Sequence, residues 1–167
     1  MSIEVHTSAP VLFRCLLTRP TLVHSAPPTP PPYTPPQIRS VKVPSIRLDS
    51  AFESETIFLL KIDVEGHDPA VLEGAQRLFE QQRVHCLAFE YHHKGLWADP
   101  PAPGRLKGIV ADLHTNGYSV YRIGRERLIQ IDGACWTDCY ATADWTNLFA
   151  ILRTSPLLPG LLSQPLL

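Results

Sequence analysis

The sequence predicts an α/β protein with a mostly parallel sheet, helices on both faces and antiparallel closing strands. Residues 56–64 and 84–91 form two continuous runs rich in β-branched, aromatic and other apolar side chains, as in strands covered on both faces. Each run is followed by apolar residues at helical spacing, whereas the last third of the chain has turn residues between short β-rich runs. Alternation of strand and helix is typical of a parallel sheet.

The first strand, 56–64, leads directly into a predicted helix. Asp68 has the residue type of an N-cap and Pro69 suits the first helical position. Helical spacing then continues through Val71, Leu72, Ala75, Leu78 and Phe79. Glycine inside a helix costs about 1 kcal/mol relative to alanine, so we interpret Gly74 as a point of close packing on the sheet.

The remaining elements follow in the same way. A second strand, 84–91, precedes a helix whose apolar positions are Leu106, Ile109, Val110 and Leu113, and Gly117 supplies its stop. Residues 118–123 and 128–131 form a hairpin about Gly124, and 146–152 form the final strand.

The folded domain is predicted to span residues 41–155. Residues 1–40 are proline-rich, with eight of the 17 prolines between positions 20 and 36, and we expect them to be disordered because proline fixes φ and lacks an amide donor. Residues 156–167 are apolar but interrupted by proline and glycine, which indicates an irregular tail.

Composition excludes several classes of protein. The net charge of −1, without a basic block, argues against a nucleic-acid partner. No apolar run approaches the roughly 18–20 residues that span a bilayer. Four unevenly spaced cysteines do not form a disulfide framework, which favours a reducing, cytoplasmic location. The acid-free stretch 5–46 leaves an organelle transit segment as an alternative.

Several motifs together resemble the FkbM family of S-adenosylmethionine-dependent methyltransferases. They are RLDSAF (47–52), KIDVEGHDPAVLEGA (61–75), the strand that ends in Glu90, NGYSVY (116–121) and NLFAIL (147–152). The resemblance covers about residues 41–152 and implies a Rossmann-like, class I methyltransferase-type sheet. It also implies S-adenosylmethionine as the cofactor, held by a glycine-rich loop after the first strand and an acid that binds the ribose.

That cofactor motif has no counterpart in this sequence, because Gly66 is the first glycine of the chain. The resemblance therefore implies an incomplete fold that starts at the family's fourth strand. The strand that begins near Phe58 would then have an open flank, and we expect self-association through this edge unless residues 1–40 cover it.

The candidate site lies after the first strand, where the carboxyl ends of parallel strands form a crevice. Among relatives the resemblance places this acidic turn beside the cofactor and the methyl acceptor, which makes Asp63 the first catalytic and cofactor-binding candidate and Glu65 another catalytic candidate. His67 has the pKa range of a general base near neutrality. The structural alternative is that Asp63 caps the following loop and Glu65 binds backbone amides.

Other polar residues are assigned more simply. Glu90 and His92, at the end of the second strand, are the substrate-binding candidates. Lys61 is interpreted as the partner of an acid on an adjacent strand. Mg²⁺ bound by Asp63, Glu65 and Glu90 and zinc bound at CWTDC (135–139) are the metal alternatives, and we predict neither. We expect Cys135 and Cys139 to lie in the core or at a strand edge instead.

Two functions remain open at this point. The resemblance implies methyl transfer to an oxygen of a small molecule or sugar, by a truncated chain that would need the missing half from a partner chain or an altered fold. The alternative is a non-catalytic interaction protein whose segment 27–36, with its P-x-x-P spacing, binds an SH3 or WW domain.

Overall fold

The computed structural model describes residues 2–7, 13–14, 44–92, 95–98, 104–142 and 145–163, the first two segments as backbone only. Within these residues the strands form one sheet of seven in the order β2-β1-β3-β4-β7-β5-β6. The strands are β1 (Ser2–Thr7), β2 (Phe13–Arg14), β3 (Ile57–Asp63), β4 (Val84–His92), β5 (Tyr118–Ile123), β6 (Leu128–Gln130) and β7 (Trp145–Leu152).

The sheet is mixed, so the predicted α/β class is confirmed but the mostly parallel sheet is wrong. Of the described strand pairs only β3 and β4 are parallel. β7 inserts antiparallel between β4 and β5, which leaves β3, β4 and β5 running in one direction. The predicted antiparallel closing strands and the β5–β6 hairpin are confirmed.

Five helices flank the sheet in the described part of the chain. They are α1 (Leu48–Ala51), α2 (Asp68–Glu73), α3 (Gln76–Glu80), α4 (Arg105–Thr115) and α5 (Leu158–Ser163). The main core lies between one face of the sheet and α2, α3 and α4. A smaller cluster on the other face includes Cys86, Tyr121 and Ile151 and is covered by Leu158 and Leu161 of α5.

Helix α5 corrects the expectation of an irregular tail after residue 156. Leu158 and Leu161 are three residues apart, which places both on the face of α5 that packs on the sheet. Pro159 lies in the first turn of α5, where the missing amide donor costs little.

The helix predicted after β3 is divided into α2 and α3 by a contact from the segment that precedes β3. The Asp49 amide donates to the Gly74 carbonyl at 2.9 Å, and Asp49 Oδ1 accepts the Leu78 amide at 3.1 Å. Asp49 therefore caps α3, whose own N-cap residue, Ala75, provides no side-chain cap. The motif RLDSAF thus has a structural role.

Two local interpretations of this region were wrong. Asp68 is not the N-cap of α2, since the helix begins after His67 and the Asp68 side chain bonds to β4 instead. Gly74 does not pack on the sheet, because a Cβ there would meet the Val71 and Ala70 carbonyls at 3.3 and 3.4 Å and Arg47 Cα at 3.8 Å. The close neighbour of Gly74 is therefore the segment before α1.

β1 covers the flank of β3 that the sequence analysis expected to be open. It pairs antiparallel with β3 over the register Ser2↔Asp63 to Thr7↔Ile57. Residues 2–7 are thus a strand where disorder was expected, because pairing with β3 satisfies their backbone groups. The proline-rich segment 27–36, which carries the disorder and SH3 or WW predictions, lies outside the described residues.

Candidate functional site

The predicted site residues of β3 and β4 meet at the carboxyl edge of the one parallel pair. Lys61 is in register with Ala88, which places Asp63 opposite Glu90 on the same face of the sheet. The Asp63 side chain is 42% exposed, and its Oδ2 lies 3.5 Å from Lys61 Nζ. Lys61 thus contacts an acid on its own strand. Glu4 of the adjacent strand β1 is in register with Lys61, so the expected partner on an adjacent strand stays a prediction.

The turn after Asp63 projects the other two candidates into solvent. Glu65 has φ +54° and Gly66 has φ +89°, and the His67 amide closes the turn on the Val64 carbonyl at 3.2 Å. Glu65 and His67 are exposed, and neither caps α2 through its side chain. The alternative in which Glu65 binds amides at the helix start therefore has no support in this turn.

Glu90 and His92 extend the edge along β4. The Glu90 carboxylate accepts a hydrogen bond from the Trp145 indole N–H, and Trp145 lies opposite His92 on β7. Trp145 is 59% exposed. Sequence analysis started this strand one residue later and so missed the aromatic ring at the site.

Gly66 connects this edge to a 3-10 turn over residues Gly95–Trp97. The Gly66 carbonyl accepts the Leu96 amide at 3.0 Å, and an added Cβ at Gly66 would lie 3.0 Å from the His92 ring. Arg105 of α4 fixes the same turn by donating to the Leu96 carbonyl at 2.7 Å. The absence of a side chain at position 66 is therefore required by its neighbours as well as by φ.

Asp68 is the site residue whose position the sequence did not predict. Its side chain is fully buried, Oδ1 accepts the Glu90 amide at 3.2 Å, and Oδ2 has no partner. Burial raises the pKa of Asp68 to about 6, and the charges of Glu90 and Asp63 act in the same direction. Asp63, Asp68 and Glu90 thus form a group of three carboxyls, one of them inside the protein.

Asp63, Glu90 and His92 at the acidic edge are half-buried, whereas Glu65 and His67 are exposed. Two cavities in the described part of the chain lie elsewhere, one of about 230 Å³ between α2, α3 and α4 and one of about 500 Å³ between the sheet and α5. Neither is lined by Asp63, Glu65 or Glu90. The described residues also contain no group of three or more His, Cys, Asp or Glu side chains arranged to hold a metal ion.

The cysteines of CWTDC differ from their predicted environment. Cys135 and Cys139 are both free and exposed in the connection between β6 and β7, not in the core or at a strand edge. Thr137 Oγ1 lies 2.7 Å from Cys139 Sγ within this connection. The connection leads from the outer strand β6 back to the middle of the sheet, where the Ala141 carbonyl accepts the Tyr91 hydroxyl of β4 at 2.6 Å.

The chain is an α/β protein with a mixed sheet. Comparison with known families assigns it to a family. The family model for the methyltransferase FkbM domain matches residues 3–120. The chain therefore belongs to the FkbM methyltransferase family. No curated protein and no solved structure matches it.

The family match confirms the resemblance drawn from the motifs and changes its extent. It begins at residue 3 rather than at about residue 41, so β1 lies within it, and it ends in β5. Methyltransferase activity is the activity of the family, which generally uses S-adenosylmethionine. None of the helices described here is long and apolar enough to cross a membrane.

The raised pKa of Asp68 predicts how stability depends on pH. A carboxyl that binds its proton more tightly in the folded state stabilises the fold below about pH 4, and this contribution is lost as the pH rises through about 6. Asp68→Asn removes the titration while keeping an acceptor for the Glu90 amide. We expect the variant to be more stable than the wild type at pH 8, by up to about 3 kcal/mol, and to show no such advantage at pH 4.

Urea unfolding at pH 4, 6 and 8 measures this difference. Asp112→Asn, which removes an exposed acid on α4, is the matched control and is expected to change the free energy of unfolding by less than about 0.5 kcal/mol at each pH. An Asp68→Asn variant that is less stable than the wild type at pH 8 would contradict the assignment.

Proposed function

We propose that this chain binds the methyl acceptor of an FkbM methyltransferase site on a Rossmann-like sheet. The acceptor is a small molecule or sugar that is methylated on an oxygen. The observation that carries the proposal is the partly exposed Asp63 carboxyl at the end of β3, beside Glu90 at the end of β4. Ligands of α/β sheets bind at this edge of parallel strands.

Methyl transfer to a hydroxyl requires two contributions from these residues. A hydroxyl that gains a methyl group must lose its proton, and the protein has to orient the hydroxyl and accept that proton. Asp63 is the first candidate for the proton acceptor, and His67 and Glu65 in the following turn are the others. Glu90 and His92 would bind further hydroxyl groups of the acceptor.

The cofactor does not fit the described residues in the way that the resemblance implies. No glycine precedes Gly66 in the sequence, and the strand beside β3 is the antiparallel β1, which offers no glycine turn at the edge near Asp63. Backbone amides of such a turn are what would approach a methionine or adenosyl group closely. We therefore propose that S-adenosylmethionine binding needs a glycine-rich turn that the sequence before Gly66 does not contain.

Calorimetric titration tests the cofactor part of this proposal. We expect no saturable heat when S-adenosylmethionine is added to the purified chain at up to about 1 mM, a limit that corresponds to about −4 kcal/mol of binding free energy. Saturable binding in the micromolar range would show that the chain contains a cofactor-binding site and would overturn the cofactor part of the proposal.

Nuclear magnetic resonance tests the acceptor part without the cofactor. Addition of a neutral sugar is expected to shift the backbone amide signals of residues 61–66 and 90–92, and the shifts should weaken in Asp63→Asn. Glu80→Gln, on the exposed side of α3, is the control and should leave them unchanged. Shifts confined to other regions, or none at saturating sugar, would contradict an acceptor site at this edge.

A further inference from the structure

Only one of the two Asp68 carboxyl oxygens has a hydrogen-bond partner in the fold. Oδ1 accepts the Glu90 amide at 3.2 Å, whereas Oδ2 is buried and unpartnered. An asparagine at this position would supply the same acceptor without a buried ionisable group, which is costly when it is not fully paired. The fold alone therefore does not explain why position 68 carries an acid.

Asp68 is connected to the exposed site through Glu90. It binds the backbone of Glu90, and Trp145 binds the side chain of the same residue. The strand on either side of Glu90 is held by Trp97, whose ring centroid lies 6.3 Å from that of Phe89 and 5.1 Å from that of Tyr91. Asp68 thus bonds to the backbone of Glu90 and Trp145 to its side chain, within a strand that Trp97 and β7 also contact.

We propose that Asp68 is a positioning residue for the acidic edge. By gaining or losing a proton it sets the placement of Glu90, and through Glu90 that of the Glu90–Trp145 pair. That the acidic edge binds an acceptor rests on the proposed function, but the Trp145 titration that tests Asp68 does not depend on it. Ionised Asp68 repels the Glu90 and Asp63 carboxylates, whereas protonated Asp68 does not. A ligand with hydroxyl groups therefore contacts a differently placed Glu90 when Asp68 is protonated and when it is ionised.

Several titratable or charged groups lie on the elements packed around Asp68 and must be separated from it in any measurement. The elements are the ends of β3 and β4, the turn into α2, α2 itself and the 3-10 turn that Arg105 fixes. The groups are Lys61, Asp63, Glu65, His67, Glu73, Glu90, His92 and Arg105. Only the two histidines have ordinary pKa values near that of Asp68.

The Trp145 indole N–H signal is the direct probe, since it bonds to Glu90 and is assigned by its loss in Trp145→Phe. In the full chain we expect its chemical shift to follow a titration with a midpoint near pH 6. In Asp68→Asn that midpoint should disappear. His67→Gln and His92→Gln should each keep the midpoint near 6.

A midpoint that persists in Asp68→Asn would overturn the proposal. If that midpoint also disappears in His92→Gln, the transition belongs to His92, which lies opposite Trp145. A wild-type signal without any transition between pH 5 and 7 would also overturn it. Circular dichroism of each variant confirms that the fold is retained.

The sugar titration separates this inference from the proposed function. If sugar binds at the edge, the wild-type dissociation constant should change at least threefold between pH 5 and 7.5, and that of Asp68→Asn should change less than half as much. If no sugar binds, the proposed function fails, and the Trp145 titration still tests Asp68. If sugar binds with the same pH dependence in both proteins, the Asp68 inference alone fails.

Discussion

Replacing Asp49 by alanine is expected to lower the free energy of unfolding by about 3 kcal/mol. The Asp49 side chain is 3% exposed, and it accepts the Leu78 amide at 3.1 Å inside the protein. Two arginines approach the other oxygen, Arg47 at 3.6 Å and Arg77 at 3.9 Å. Alanine would leave a buried amide donor without a partner and α3 without its cap.

Equilibrium unfolding in urea, followed by circular dichroism, measures this loss. Asp49→Asn keeps an acceptor for Leu78 and loses only the attraction of two largely exposed arginines, so we expect it to cost about 1 kcal/mol or less. Glu53→Ala, at an exposed position nearby, should be nearly neutral. If Asp49→Ala and Glu53→Ala had similar stabilities, the capping role of the RLDSAF motif would be refuted.

Gly66→Ala is expected to cost a similar amount, about 3 kcal/mol, and to disturb the site as well. Gly66 has φ +89°, where a side chain is strained, and its Cβ would lie 3.0 Å from Cε1 and Nε2 of His92. The Gly95 backbone is also close, 3.4 Å from the same Cβ. Relief of this crowding would have to move His92 or the 3-10 turn that Gly66 binds.

Gly108→Ala is the matched control for this change. Gly108 lies in α4, and an added Cβ there meets nothing within 4 Å. The same substitution should therefore stabilise the chain by up to about 1 kcal/mol, because alanine favours a helix over glycine. Unfolding curves measure the stability of both variants, and the imidazole NMR signals of His92 report any change at the site. Unchanged His92 signals in Gly66→Ala would contradict the predicted disturbance of the site.

The predicted strands and α4 are close to those observed because their signals are local. β3, β4 and β7 each lie in one apolar run, and the stripe of α4 is followed by Gly117 with φ +94°. The single helix predicted after β3 failed because its interruption depends on Asp49, which bonds to Leu78 29 residues away. Spacing within the helix contains no information about that partner.

In the site, too, features set by neighbouring residues were predicted, whereas features set by contacts between distant segments were not. Parallel strands end at one edge, and that rule predicts from the sequence that Asp63 and Glu90 lie at the same edge of the sheet. Asp68 was taken for a cap because residue type and position suggested one, whereas its partner is a backbone amide of another strand. Trp145 and Trp97 carry no sequence signal that would link them to the acidic turn.

The sequence by itself determined the α/β class, the FkbM membership and the acidic glycine turn, because apolar periodicity, turn residues and a contiguous motif all act over a few neighbouring positions. Only the tertiary structure decided that β1 covers β3, that the sheet is mixed, and that Asp68 lies buried beneath Glu90. Those properties depend on contacts between distant segments, where burial and the available hydrogen-bond partners are set by packing.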